Sequence, residues 1–313
     1  MNNKIKHKGR FKQIPIYLGK LFRMFIYVND WKVLPMSAII AYLVATVAAK
    51  NICKTMEGTI YGTLAIACIC IWNGFFNSIQ VVCRERDIIK REHRDGMHIS
   101  SYVSAHVIYQ AFLCLMQTLI TIAVCRASGL TFPTDGLVTV SFYFDFAVTI
   151  FLTTFAADMM SLMISCIVKN TTSAMTVMPF VLIFELLFSG SMFELSGFAS
   201  KLTNLSIAKW SINCLSAQCK FNSLPMVSIW NKAKNLNGIE YEGVYPVKEV
   251  MDYLSNNGYA NDITLWMGQN SQRAEFASTA ANVGDCWLNL LMFAMLFIII
   301  AVLVLESVDK DKR

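Results

Sequence analysis

Charge is what this sequence has least of. Aspartate, glutamate, lysine and arginine make up only 15% of its 313 residues. They are gathered into short blocks, which leaves residues 33–49, 59–83, 102–125, 137–168, 173–193 and 286–305 almost free of them. A soluble domain carries about a quarter charged residues, so 55% hydrophobic residues and a mean hydropathy of +0.48 exclude one. Histidine is also scarce: His7, His93, His98 and His106 are the whole set. No two of them have the spacing that puts two metal ligands on one helical face, and they read as surface and boundary residues. No glycine-rich loop ends in Gly-Lys-Ser or Gly-Lys-Thr, which excludes an ATP-hydrolysing motor within the chain. Neither a Gly-X-Ser-X-Gly elbow nor a recognisable Cys and His pairing is present, and nothing marks nucleic acid as a partner.

What remains is an all-α membrane protein read as one domain, 1–313. Roughly 20 apolar residues cross the hydrocarbon core, so the six runs predict six transmembrane helices. Run 137–168 is too long for one plain span and too short for two with a turn, so one of its ends must project or bend. Residues 1–32 carry Lys4, Lys6, Lys8, Arg10, Lys12, Lys20, Arg23 and Lys32 against the single acid Asp30, a cytoplasmic signature. Within them Ile14, Tyr17, Leu18, Leu21, Phe22, Phe25 and Val28 recur at helical spacing, predicting an amphipathic helix on the inner membrane surface. The Val47-Ala48-Ala49 ending of the first run could pass for a signal-peptidase site, but the basic region before it is too long for a signal peptide, so it reads as an uncleaved anchor. With spans one to five in 33–193 and the sixth in 286–313, both termini fall on the cytoplasmic side of the plasma membrane.

Residues 194–285 form a large external loop. Its first part is amphipathic and able to dip back into the membrane if protein covers it. Its second part, 220–282, is rich in Asn, Gly and Ser and reads as polar and partly mobile. Of the ten cysteines, Cys68, Cys70, Cys83, Cys114, Cys125, Cys166 and Cys286 lie in or at the ends of apolar runs, as small packing residues. Cys214 and Cys219 sit in the external loop, where one disulfide between them is available if the compartment oxidises.

Between the second and third spans lies RERDIIKREHRDGMHISSY, residues 84–102. Opposite charges at Asp87 and Arg91, and at Arg91 and Asp95, have helical spacing, and Gly96 supplies a stop. The expectation is a short charged helix between two spans. The order Glu85-Arg86, Arg91-Glu92, Gly96, Tyr102 resembles the segment after the second membrane helix of type 2 ABC export permeases, the G-subfamily fold above all, and the order of spans is similar from about Gln13 onward. The resemblance implies a coupling helix in which Glu85, Arg86, Arg91, Glu92 and Gly96 engage an ABC ATPase subunit that holds ATP and Mg, with no cofactor on this chain itself. It also implies a dimer with a second copy or a similar permease, a re-entrant external cap, and an exported substrate of unknown identity moving among membrane lipids.

Three acids remain inside the runs with no Lys or Arg to neutralise them: Asp145, Asp158 and Glu185. An acid at mid-bilayer costs around 3 kcal/mol, so each must face protein, water or a proton. Glu185 shares a helical face with Met178, Leu182 and Ser189. In the second span Asn73, Phe75, Phe76, Asn77 and Gln80 mix amides and aromatics. These read either as helix packing or as a pathway, and the resemblance favours a pathway of Asn73, Phe75, Phe76, Gln80, Met178, Leu182 and Glu185 between the second and fifth spans. Two alternatives stand beside transport. One is an intramembrane enzyme using Glu185, Asp158 or His106, and the other a membrane immunity or sensor protein that holds a ligand without moving it.

Overall fold

The computed structural model describes residues 9–27, 30–47, 51–191 and 196–307. Lys4, Lys6, Lys8, Val28, Ala48, Ala49, Phe193, Glu194 and the C-terminal Lys310, Lys312 and Arg313 lie outside the described residues. Among those described, the fold is helix and turn with no strand.

Helix α1 (Arg10–Tyr27) leads to α2 (Val33–Val47) and then α3 (Met56–Ser78). Ile79 and Gln80 separate α3 from α4 (Val81–Arg94), and α5 (Ile99–Ala127) returns across the molecule. Helices α6 (Phe142–Ile167) and α7 (Thr171–Leu187) follow. After the five-residue α8 (Phe198–Leu202) comes α9 (Ile207–Gln218). Three surface helices, α10 (Ser228–Asn235), α11 (Pro246–Asn256) and α12 (Tyr259–Asn270), precede the last, α13 (Ala280–Glu306).

Among the described residues, four stretches are long and apolar enough to cross a bilayer: Met56–Arg94, Ile99–Ala127, Phe142–Ile167 and Ala280–Glu306. Helices α2 and α7, at 15 and 17 residues, rise only about 22–26 Å at 1.5 Å per residue, short of a 30 Å core. The expected fifth run extends to residue 193, but α7 stops at Leu187. There Ser189 turns its hydroxyl back to the Leu186 carbonyl at 2.8 Å and Gly190 takes φ +73°. The long fourth run does bend. Its helix begins only at Phe142, and the preceding N–H groups of Leu137, Val138 and Thr139 wrap the Asp145 carboxylate at 2.8, 2.9 and 3.1 Å. Asp145 therefore needs no cation. Backbone donors satisfy it in the first turn of α6, where the helix dipole also favours an anion.

The centre is the α3 and α6 pair. Their approach depends on Gly74: a Cβ there would lie 2.5 Å from the Thr154 carbonyl oxygen and 2.7 Å from the Asp158 nitrogen. Helix α9 is sunk beside them and buried at every position except Lys209 and Trp210. Hydroxyls key it in place, with Thr153 to Ser211 at 2.9 Å and Thr63 to Ser216 at 3.3 Å. The second part of the long loop is not the irregular segment its composition suggests, because α10, α11 and α12 order it. The Glu57 carboxylate at the head of α3 ties it down by accepting the Val227 and Ser228 N–H groups at 3.1 and 2.8 Å.

The apolar face of α1 is where the sequence puts it, but it covers protein. Ile14, Tyr17, Leu18, Phe22 and Phe25 pack with Leu21 against Ala105, Tyr109 and Leu113 of α5. Phe22 meets Tyr109 and Phe112 edge-on at 5.6 and 5.4 Å between centroids.

Candidate functional site

Alternating charge gives α4 two faces. Val82, Cys83, Glu85, Arg86 and Ile89 are buried, while Arg84, Asp87, Ile88 and Arg91 form the exposed stripe opposite. The first turn of any helix has N–H groups without helical partners, and the last turn has such carbonyls. Here two helix ends satisfy each other. The Val82 and Cys83 N–H groups donate to Ser165 Oγ at 3.1 and 3.2 Å. In return, Arg86 Nη1 donates to the Cys166 and Val168 carbonyls at 2.8 and 3.1 Å, bringing a cation to the negative end of α6. The far end of α4 closes as the sequence predicts. Gly96 takes φ +99°, its N–H reaches the His93 carbonyl at 3.1 Å, and the Met97 N–H reaches that of Glu92 at 2.9 Å, a paired 5→2 and 6→1 closure that needs glycine at its left-handed residue.

Glu85 and Glu92 are seven apart, two helical turns, and so face the same way. They face α1. Lys20 Nζ lies 3.2 Å from Glu85 Oε2, and Tyr17 donates its hydroxyl to Glu92 Oε2 at 3.0 Å. Burial and the neighbouring Glu92 carboxylate push the Tyr17 phenol above its ordinary pKa, so it stays protonated and remains the donor. Gln13 completes the clasp, donating to the Gly96 carbonyl at 3.1 Å and accepting the His98 N–H at 2.9 Å.

This placement gives each residue of the expected coupling set its contacts within the chain. Glu85, Arg86, Glu92 and Gly96 are spent inside the chain, on α1, α6 and the helix stop. Arg91 alone of the five is exposed, and Asp87 and Ile88 share its face. Sequence spacing identified the helix but not which side its neighbours would occupy. Tyr17 and Lys20, three apart on α1, carried the missing signal, since together they match two acids two turns apart on α4.

The seven expected pathway residues fall on different surfaces. Asn73 is buried and donates to Ser37 of α2 at 2.9 Å. Phe75 is buried against α6, its carbonyl accepting the Ser161 hydroxyl at 2.9 Å, and Met178 is also buried. Phe76 and Gln80 line a cavity of about 270 Å³ where α1, α3, α4 and α5 meet. Leu182 and Glu185 line a separate cavity of about 160 Å³ between α3 and α7, with Trp72 and Ala208.

Asp158 and Glu185, within apolar helices, each have their own neutral partners. Asp158 accepts from Ser78, from Asn77 at 3.2 Å and from the Cys114 thiol at 3.3 Å, while Asn77 and Gln117 exchange amide bonds at 3.0 and 2.9 Å. Glu185 Oε2 accepts the Ser206 hydroxyl at 2.8 Å and the Ala208 N–H at 2.9 Å. It thereby holds the N-terminus of α9 against α7, a structural task that α9's distance in sequence concealed. His106 is not a boundary residue but is 1% exposed, and neither ring nitrogen has a hydrogen-bond partner. These three groups share no partner, so the intramembrane-enzyme alternative lacks a common centre. Among the described residues no group of three or more His, Cys, Asp or Glu is placed to hold a metal ion.

The cysteines of the long loop also pair differently from expectation. Cys219 is bonded to Cys53, with Cα atoms 5.0 Å apart. Cys214 points into the fold as a free thiol, 3.2 Å from Thr149 Oγ1. The two are five apart in sequence, with Cys214 inside α9 and Cys219 capping it, so they leave the helix in different directions.

The family model described as ABC-2 type transporter matches residues 20–218, from the Lys20 clasp to the end of α9 and so well over half of the chain. No curated protein matches the chain.

Proposed function

This chain belongs to the ABC-2 type transporter family, and from that premise we propose that it is the permease subunit of an ATP-driven exporter in the plasma membrane. In this reading α2, α3, α5, α6, α7 and α13 make six crossings, with local bilayer thinning around the short α2 and α7. Both termini and α4 face the cytoplasm, and α9 to α12 form the external side. ATP and Mg reside on a separate ATPase subunit, and this chain supplies the pathway. A second copy or a similar permease packs on α3 and α7, where Trp72, Phe180 and Ile183 stand 46–69% exposed.

The observation that carries the reading is the two-sidedness of α4. Its buried face is latched by Ser165 and Arg86 to α6, while Asp87, Ile88 and Arg91 stand free of that latch on the opposite face. A partner that pushes the exposed face moves α6, and through it α3. Co-purification with an ATPase encoded beside this chain tests it. Ile88→Asp with Arg91→Glu should reduce chain-dependent ATP hydrolysis roughly tenfold or more. Glu92→Gln, which changes the Tyr17 contact instead, should leave ATPase association within about threefold. Undiminished hydrolysis in the Ile88/Arg91 variant would sink the docking assignment.

A further inference from the structure

The 270 Å³ cavity is built where α1, α3, α4 and α5 meet, at the α4 end of the bundle. Val33 starts α2, Gln80 ends the α3 segment, and Met175 lies in the first turns of α7, so these elements contribute near their α4-facing ends. That is the depth at which a bilayer's headgroups meet its hydrocarbon.

Its wall is polar on one side. Gln110 gives its amide N–H to the Asn77 carbonyl at 3.5 Å and leaves Oε1 without a partner. Beside it, one turn back on α5, His106 has two unpartnered nitrogens. Buried polar groups are almost always hydrogen-bonded, and leaving one unsatisfied costs about 1–3 kcal/mol. An acceptor on Gln110 beside a ring with one donor and one acceptor calls for a ligand that both gives and takes hydrogen bonds. Glu85, also on the wall, is already engaged by Lys20. The cation at the rim is Arg84, exposed and aligned with the cavity. The other side is apolar, and its outer lip is Phe76 and Met175, 49% and 42% exposed.

We infer that this cavity binds the headgroup of an anionic glycerophospholipid: phosphate on Arg84, headgroup hydroxyls on Gln110 and His106, and an acyl chain leaving over Phe76 and Met175. Water alone would satisfy the polar wall but would give the apolar lip and Arg84 no role. The inference rests on the membrane placement of these helices and not on ATPase docking. Its test uses Arg84 and Gln110, and the docking test uses Ile88 and Arg91, so failure of one is distinguishable from failure of the other.

The full chain is reconstituted in nanodiscs of phosphatidylglycerol or of phosphatidylcholine, washed in mild detergent, and the retained lipid counted by native mass spectrometry. Retention of phosphatidylglycerol should exceed that of phosphatidylcholine roughly tenfold, since choline offers no hydroxyl to Gln110 and His106 and sets a cation beside Arg84. Arg84→Ala and Gln110→Leu should each abolish most of that preference, and Asp87→Ala, exposed on the same helix, should leave it intact. Equal retention of the two lipids would overturn the site, as would phosphatidylglycerol retained equally by both variants. Soluble glycerol 3-phosphate displacing the lipid at equal concentration would overturn the lipid assignment, since the acyl chain would then contribute nothing.

Discussion

The two ends of the helix bundle are fastened in different ways. At the α9 end the fastenings are mostly covalent or buried: the Cys53–Cys219 bond joins the head of α3 to the end of α9. Glu185 clamps α9 to α7, half-buried Glu57 receives the first N–H groups of α10, and a half-solvated Lys209–Glu275 pair at 3.5 Å adds to them. At the α4 end the Ser165 and Arg86 latch to α6 is buried, but the clasp to α1 is polar and half-solvated, with Lys20 on Glu85 and Tyr17 on Glu92. Partly exposed pairs contribute at most about 1 kcal/mol, because water competes for both partners. Covalent closure and buried hydrogen bonds have no such competitor. The α9 end is therefore fixed, while α4 stays latched to α6 yet can shift against α1, which suits the proposed push at α4.

Removing the covalent fastening should have the largest effect. Cys53 and Cys219 are 166 residues apart, and releasing a loop that long typically costs about 2–4 kcal/mol. Cys53→Ser should lower the thermal midpoint in detergent, and reductant should lower the wild-type midpoint to match while leaving the variant unmoved. A variant as stable as wild type would show that α9 is held by its hydroxyl contacts alone. Next comes the latch. Arg86→Ala strips the Cys166 and Val168 carbonyls of their donor, a loss of about 2–3 kcal/mol, and Arg86→Lys should recover only part because its shorter side chain holds the charge back from the two oxygens that Nη1 reaches. If ATP hydrolysis stays coupled to transport in Arg86→Ala, α6 does not receive the movement of α4.

Much of this could be read from the sequence. Apolar runs located the long helices, Gly96 located the end of α4, and the over-long fourth run announced a bend. Those are local signals, carried by neighbours in the chain. What could not be read depends on residues far apart. Glu185 belongs to Ser206 and Ala208, and Cys219 belongs to Cys53. Arg86 belongs to carbonyls of α6, which have no side-chain signature at all. Asn73, Phe75 and Phe76 lie within four positions of the chain, yet their contacts are to α2, to α6 and to a cavity, because a helix sends successive residues about 100° apart. Histidine placement failed for a related reason, since a neutral imidazole packs against Tyr102, at 4.5 Å between centroids, as readily as it meets water.

The smallest expected effect bears most directly on the adjustable end. Lys20→Ala removes the ion pair to Glu85 while sparing the apolar face of α1, which rests on Ala105, Tyr109 and Leu113. The lysine side chain is 37% exposed and its partner 11%, so solvent already screens the pair and the loss of stability should stay below about 1 kcal/mol. Wild-type stability should fall slightly as salt rises from 0.05 to about 0.5 M, since screening lengths shrink over that range, and the variant should show a shallower slope. A cost of several kcal/mol in Lys20→Ala would mean that Glu85 is left buried and unpaired when Lys20 goes. The α4 end would then be as rigidly fastened as the α9 end, and movement would have to enter the bundle elsewhere.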